Sequence, residues 1–312
     1  MVEIFLKTLP FFAIIGLGYF AGWRGFFSAG ATVYLTKFVF YFALSAMLFH
    51  FSANLNLGEV FSWDFTLAYL VATSLVYGVG FGFALLRKLP IAEAAVEAQC
   101  CAIGNVGFIG IPMLAILMGD EAVGYVMIAL AVDLIVFGSL IVLVIVAVRE
   151  GRMGISVIST LLLGLARNPM IVAIAAGLTC SVMEIRLPAP IWEFVKLLGA
   201  AATPCALFAI GASLAEKSTE RLKTAFWLSF GKLILHPAAV AVSALVLFDV
   251  PDYPAAVMIV ASSLPVAGNI YILAQHYRVA PQRVSASIFV STAISIVSIS
   301  FVLSLVSAQL SF

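Results

Sequence analysis

The chain has 312 residues, 64% of them hydrophobic and 10% charged, with a formal net charge of +1. With a mean hydropathy of +1.18, this composition excludes a water-soluble domain. The dispersed basic residues leave no patch for nucleic acid, so no nucleic-acid partner is expected.

Ten membrane spans are predicted, at residues 5-23, 31-51, 63-87, 91-118, 121-148, 168-185, 190-214, 221-248, 252-276 and 281-309. Each is long enough to cross about 30 Å of hydrocarbon, where a helix satisfies its own backbone. The runs are continuously apolar, which excludes a β-barrel with its alternating pattern. The opening MVEIFLKTLPFFAIIGLGYFAGW carries Glu3 and Pro10 and lacks a small-x-small cleavage pattern, so it is expected to be span one and not a leader. Cys100, Cys101, Cys180 and Cys205 fall inside spans without metal-ligand spacing and read as small packing residues.

Lysine and arginine distribute unevenly between the two sides that ten spans create. Arg24, Arg87, Lys88, Arg149, Arg152, Arg167, Lys217, Arg221, Lys223, Arg278 and Arg283 collect on one side, against Lys7 and Arg186 on the other. The positive-inside rule makes the first side cytoplasmic and puts both termini outside. The longest connection, residues 149-167, has basic ends and an apolar middle, and reads as a linker on the cytoplasmic surface.

That linker divides the chain into residues 1-148 and 168-312, each with five spans, so the second half enters the membrane inverted. At an offset of 159, Pro10 matches Pro169, Gly18 matches Gly177, Lys37 matches Lys196, and Leu48-Phe49 matches Leu207-Phe208. A duplication predicts that a break in span four recurs in span nine. Span four contains AIGNVGFIGIP at 102 to 112, with Asn105, Gly107, Gly110 and Pro112; span nine contains SSLPVAGNIY at 262 to 271, with Pro265, Gly268 and Asn269. Proline removes a backbone donor and glycine weakens a helix by about 1 kcal/mol, so both spans are expected to unwind there. Interrupted spans at matching places in inverted halves point to a transporter's midplane site. Each resumed half-helix would direct unpaired N-H groups toward the centre, favouring an anion such as a carboxylate. The alternative is a close-packing face of Gly104, Gly107 and Gly110 with a kink at Pro112.

Ionisable groups deep in a span are costly. Asp133 in span five and Lys232 in span eight sit near mid-depth, and His236 lies one turn beyond Lys232, before Pro237. Asp133 and Lys232 could pair. The pair either fixes packing or lets Asp133 carry a coupling proton. Lys37 and Lys196 are shallow enough to snorkel. Glu93 and Glu97 read as a solvated or interfacial face, with no metal site. Asn105 and Asn269 could bond substrate oxygens or freed backbone carbonyls.

NVGFIGIP, KLILHP, SSLPVAGNIYILAQHY and LGYFAGW, with the order of the spans, resemble the auxin efflux carrier family, whose bacterial members include carriers of small carboxylates. The resemblance implies an all-α fold of ten helices in two inverted five-helix repeats, with broken helices four and nine crossing, as in sodium/proton antiporters and bile-acid symporters. It further implies a scaffold of spans 1, 2, 6 and 7, often dimeric, and an elevator-like transport core of spans 3-5 and 8-10. Asn105, Pro112, Pro265 and Asn269 map to the crossover, and Lys232 to the basic position before the proline of span eight.

The expected function is therefore secondary transport of a small mono- or dicarboxylate in the bacterial inner membrane. A proton is a possible coupling ion, sodium a less favoured one, and no other cofactor is expected. A sodium-coupled symporter of the bile-acid type is the main alternative, and a channel or transporter-derived receptor belongs to another class. No enzyme is expected: His50, His236 and His276 lie in separate spans and no G-x-S-x-G motif occurs.

Overall fold

The computed structural model describes residues 2-55, 58, 61-150, 163-215 and 222-309. Most of the predicted surface linker, at 151-162, lies outside the described residues, as do Arg152, Lys217 and Arg221. The described residues are helical, without a β-strand. In chain order the helices are α1 (Val2–Trp23), α2 (Ala29–Asn54), α3 (Trp63–Leu86), α4 (Ile91–Ala102), α5 (Val106–Met118), α6 (Glu121–Val148), α7 (Pro169–Val182), α8 (Ala189–Ala215), α9 (Lys223–Leu247), α10 (Asp252–Ser262), α11 (Gly268–Tyr277) and α12 (Pro281–Gln309).

Local chemistry sets several of these boundaries. The side chains of Ser28, Ser62 and Asn168 accept from Ala31, Phe65 and Met170 N-H groups, each capping the start of a helix. Gly119, at φ +96°, makes the turn between α5 and α6.

Six helices, α2, α3, α6, α8, α9 and α12, are long and apolar enough to cross a membrane. The segments predicted at 91-118 and 252-276 are each divided, α4 from α5 at 103-105 and α10 from α11 at 263-267. Each resulting piece is too short to span hydrocarbon alone.

Glycines let helix backbones meet. A Cβ at Gly18 of α1 would overlap the Phe208 carbonyl of α8 and lie 3.0 Å from Ala212 N; a Cβ at Gly211 would overlap the Ile15 carbonyl. On the other side, a Cβ at Gly177 of α7 would lie 2.7 Å from Phe49 O and 3.0 Å from Ala53 N of α2, and one at Gly199 of α8 would lie 3.0 Å from Met47. Helices α1, α2, α7 and α8 thus form one close-packed block. In the remainder, Cys101 of α4 sits between Gly80 of α3 and Gly231 of α9, the small packing role expected of it. Large apolar side chains such as Leu75, Leu197 and Val246 face outward, as lipid contact requires.

One expectation needs correction. The sequence places Glu93 and Glu97 on a solvated or interfacial face, but Glu97 is buried, at 1% exposure. It bonds Arg87 from the end of α3 and, at 2.7 Å, Arg283 from the start of α12; Arg283 also reaches Glu93 at 2.9 Å. The two arginines read as loop charges because nothing local reveals that three helix ends share one corner. Once they do, a buried carboxylate between two guanidiniums is compensated.

Candidate functional site

The two interruptions meet. Asn105 N donates to Pro265 O at 2.8 Å and Ala267 N donates to Ile103 O at 3.2 Å, so Gly104 and Val266 pair as in a short antiparallel ladder. This pairing satisfies extended backbone that would otherwise be orphaned in an apolar interior. Val266 N is further bonded by Ser291 Oγ of α12, at 3.1 Å. Asn105 caps α5, its Oδ1 accepting from Phe108 N at 3.3 Å.

The crossing has two chemically different sides. On one, α4 and α10 end, and carbonyls at a helix C-terminus lack intrahelical donors. There Lys232 Nζ donates to Ser262 O, the last residue of α10, and to His236 Nδ1 at 2.8 Å. Gly104 leaves room for this ammonium, since a Cβ would lie 3.0 Å from Lys232 Cε and 3.1 Å from Nζ. A cation at the negative end of a helix dipole is favourably placed.

Lys232 and Asp133 do not pair directly. The Tyr69 hydroxyl of α3 donates to both Asp133 oxygens at 3.1 and 3.2 Å, and Thr73, one turn along α3, bonds His236 Nε2 at 3.0 Å. A lysine ammonium only donates, so His236 Nδ1 accepts and its Nε2 carries the proton toward Thr73. All five side chains are buried. Asp133 and Lys232 each sit in a π-helical turn, Asp133–Phe137 and Gly231–Leu235, the kind of widened turn that recurs at functional sites. Tyr69 and Thr73 escape the sequence reading because a lone tyrosine or threonine in an apolar helix looks like packing.

On the other side α5 and α11 begin; Phe108 N of α5 is capped by Asn105 Oδ1 and Ile270 N of α11 donates to Ala267 O, which leaves the earlier amides of each first turn without an intrahelical acceptor. A cavity of about 450 Å³ lies at these helix starts, between α2 and α8 on one wall and α5, α11 and α12 on the other. Asn105, Phe108, Gly268 and Tyr271 line it from the crossing; Thr32, Thr36, Lys37, Ile210 and Ser213 line it from the facing block. Asn269, the residue after Gly268, does not line the cavity, and its Oδ1 is buried with no partner among the described residues. A Cβ at Gly268 would meet nothing within 4 Å.

Of the predicted site residues, Asn105, Pro265, Gly268 and Asn269 belong to the crossing segments, and of these four Asn105 and Gly268 line the cavity. Gly107 packs against Met170 and Leu130, Gly110 against Leu264, and Pro112 is buried within α5; none of the three lines this cavity. Lys37 does line it, where its depth alone suggests snorkelling.

The sequence matches the membrane transport protein family over residues 3–303. The chain belongs to that family. This is the auxin efflux carrier family that its motifs resemble. It is similar to a protein of Rhizobium meliloti (strain 1021) named "Putative malonate transporter", with 29% identity over 98% of this chain and 97% of the relative. It is also similar to "Uncharacterized transporter YfdV" of Escherichia coli (strain K12), with 28% identity over 93% of this chain and 94% of that one. The family and these names describe membrane transporters, not an enzyme.

Proposed function

We propose that this membrane transport protein carries a small organic anion, a mono- or dicarboxylate, by alternating access, with the anion bound where the two interrupted helices cross. The observation that carries the proposal is the crossing itself: paired breaks at 103-105 and 263-267 whose resumed helices begin at a 450 Å³ cavity. That volume lies in the range of small-molecule sites, and helix starts favour anions. The name of the Rhizobium relative is in keeping with a carboxylate.

An inverted repeat is supported by matched contacts. Gly18 meets Phe208 and Ala212, while Gly177 meets Phe49 and Ala53, each residue displaced by 159 from its counterpart. In this reading the chain has ten spans; α1, α2, α7 and α8 are the fixed scaffold, shared with a second copy in a homodimer, and the other helices move as the transport core. The cavity lies between the two groups, as an elevator-like shift needs. Its walls come from the parts of α2, α8 and α11 nearer the basic loops, so we assign the conformation as open to the cytoplasm, with both termini outside a bacterial plasma membrane.

Asp133 is our candidate for a coupling proton. No lysine or arginine forms a direct ion pair with it among the described residues, and Tyr69, Thr73 and His236 link its neighbourhood to Lys232 at the crossing. A sodium-coupled cycle fits less well, because the Ser262 carbonyl that could hold the ion already accepts from Lys232. Uptake of labelled malonate into proteoliposomes should saturate, show counterflow, proceed without sodium and depend on pH. Asp133→Asn should flatten the pH dependence. A pH profile unchanged in Asp133→Asn removes Asp133 from coupling; non-saturating flux without counterflow would indicate a channel instead.

A further inference from the structure

The carboxylate reading leaves open whether the ligand carries one negative charge or two, and the cavity wall opposite the crossing bears on this. Among the described lining residues, Lys37 alone carries a charge. It belongs to α2, two residues before the π-helical turn Val39–Ala43 and on the block that faces the crossing, whereas Asn105 and Gly268 belong to the crossing itself. No carboxylate forms an ion pair with Lys37 among the described residues; its ammonium lies 5.6 Å from the centre of the Tyr34 ring. Thr36 beside it also lines the cavity.

The remaining wall is largely apolar, with Val33, Phe40, Ile210 and Ile288 among its members. One carboxylate can sit where α11 begins, with Gly268 at the start of that helix and Asn105 both lining the cavity. A second carboxylate on a short chain would then project toward α2. Against apolar wall it would be desolvated without compensation, a costly arrangement. Against Lys37 it would gain a charge-assisted hydrogen bond.

Resting on the assignment of the carboxylate site above, we propose that Lys37 anchors a second carboxylate and makes this protein selective for short dicarboxylates over monocarboxylates. The two anchors lie on opposite walls, so a dicarboxylate bridges scaffold and core, and a monocarboxylate engages the core alone.

The test is binding of malonate and of malonamate, its half-amide with one carboxylate, to the purified full chain, read by calorimetry or thermal shift. Wild type should bind malonate about tenfold or more tighter than malonamate. Lys37→Gln should bring malonate down to the malonamate level and leave malonamate unchanged, and Lys37→Arg should keep the preference. An unchanged malonate to malonamate ratio in Lys37→Gln overturns the proposal and returns the lysine to an interfacial role. Loss of both ligands in that variant also counts against it, since an anchor for the second carboxylate is silent toward malonamate. If wild type binds neither ligand, the carboxylate site itself fails, which is distinguishable from failure of the Lys37 assignment.

Discussion

Lys232→Met is expected to slow malonate uptake by about 100-fold or more. The substitution keeps the apolar stem and removes the ammonium, leaving the Ser262 carbonyl and His236 Nδ1 buried without their donor. Each orphaned acceptor costs about 1–3 kcal/mol, and both costs fall on the arrangement in which the crossing is assembled. Lys232→Arg should not rescue transport, because the lysine's own Cε and Nζ already lie against Gly104, with Ala261 O close behind, and a guanidinium adds bulk to that contact. Initial uptake rates, with thermal unfolding of the same preparations as a folding control, check this. Wild-type rates in either variant would mean that the lysine is incidental to the crossing.

The second large effect is on stability. Gly211→Val places side-chain atoms where the Ile15 carbonyl of α1 already lies, and 2.8 Å from Tyr19 N. Backbone cannot rotate aside as a side chain can, so α1 must move off α8. Overpacking of a well-packed contact costs about 1–3 kcal/mol and more where no rotamer relieves it. We expect the melting temperature in detergent to fall by about 10 °C. Gly78→Ala in α3, where a Cβ meets nothing within 4 Å, should leave it unchanged or slightly raised, since alanine favours the helix. Equal melting temperatures for Gly211→Val and wild type would show that the α1–α8 contact is looser than described.

Much of this architecture is written in local composition. Asn105, Gly104, Pro265 and Gly268 mark the two interruptions because glycine, proline and asparagine are the residues a buried helix avoids. The Gly18 and Gly177 pair is visible as an offset before any contact is known, since close helix approach demands a small residue at each site. What the sequence hides is pairing over long separations and the rotation of each helix. Arg283 and Glu97 are 186 positions apart, and only the packing of α12 against α4 makes them partners. Tyr69 reaches Asp133 from another helix, where spacing alone suggests that Asp133 and Lys232 pair directly. Lys37 is legible in depth but not in direction, so the same residue reads as interfacial from sequence and as cavity lining in the fold. The π-helical turns at Asp133 and Lys232 leave no compositional mark, because one widened turn of apolar residues resembles any other.

The central claim is that a carboxylate binds in the cavity at the start of α11. It is tested most directly by reacting Gly268→Cys with N-ethylmaleimide, in a background with Cys180 and Cys205 changed to alanine, while malonate is titrated in. The site has open space for the added side chain and lines the cavity. The account predicts that the cysteine is labelled and that malonate slows labelling saturably, at the concentrations that stabilise the protein against heat. Labelling that is indifferent to malonate, under conditions where malonate still stabilises the chain, would place the ligand elsewhere and contradict the account.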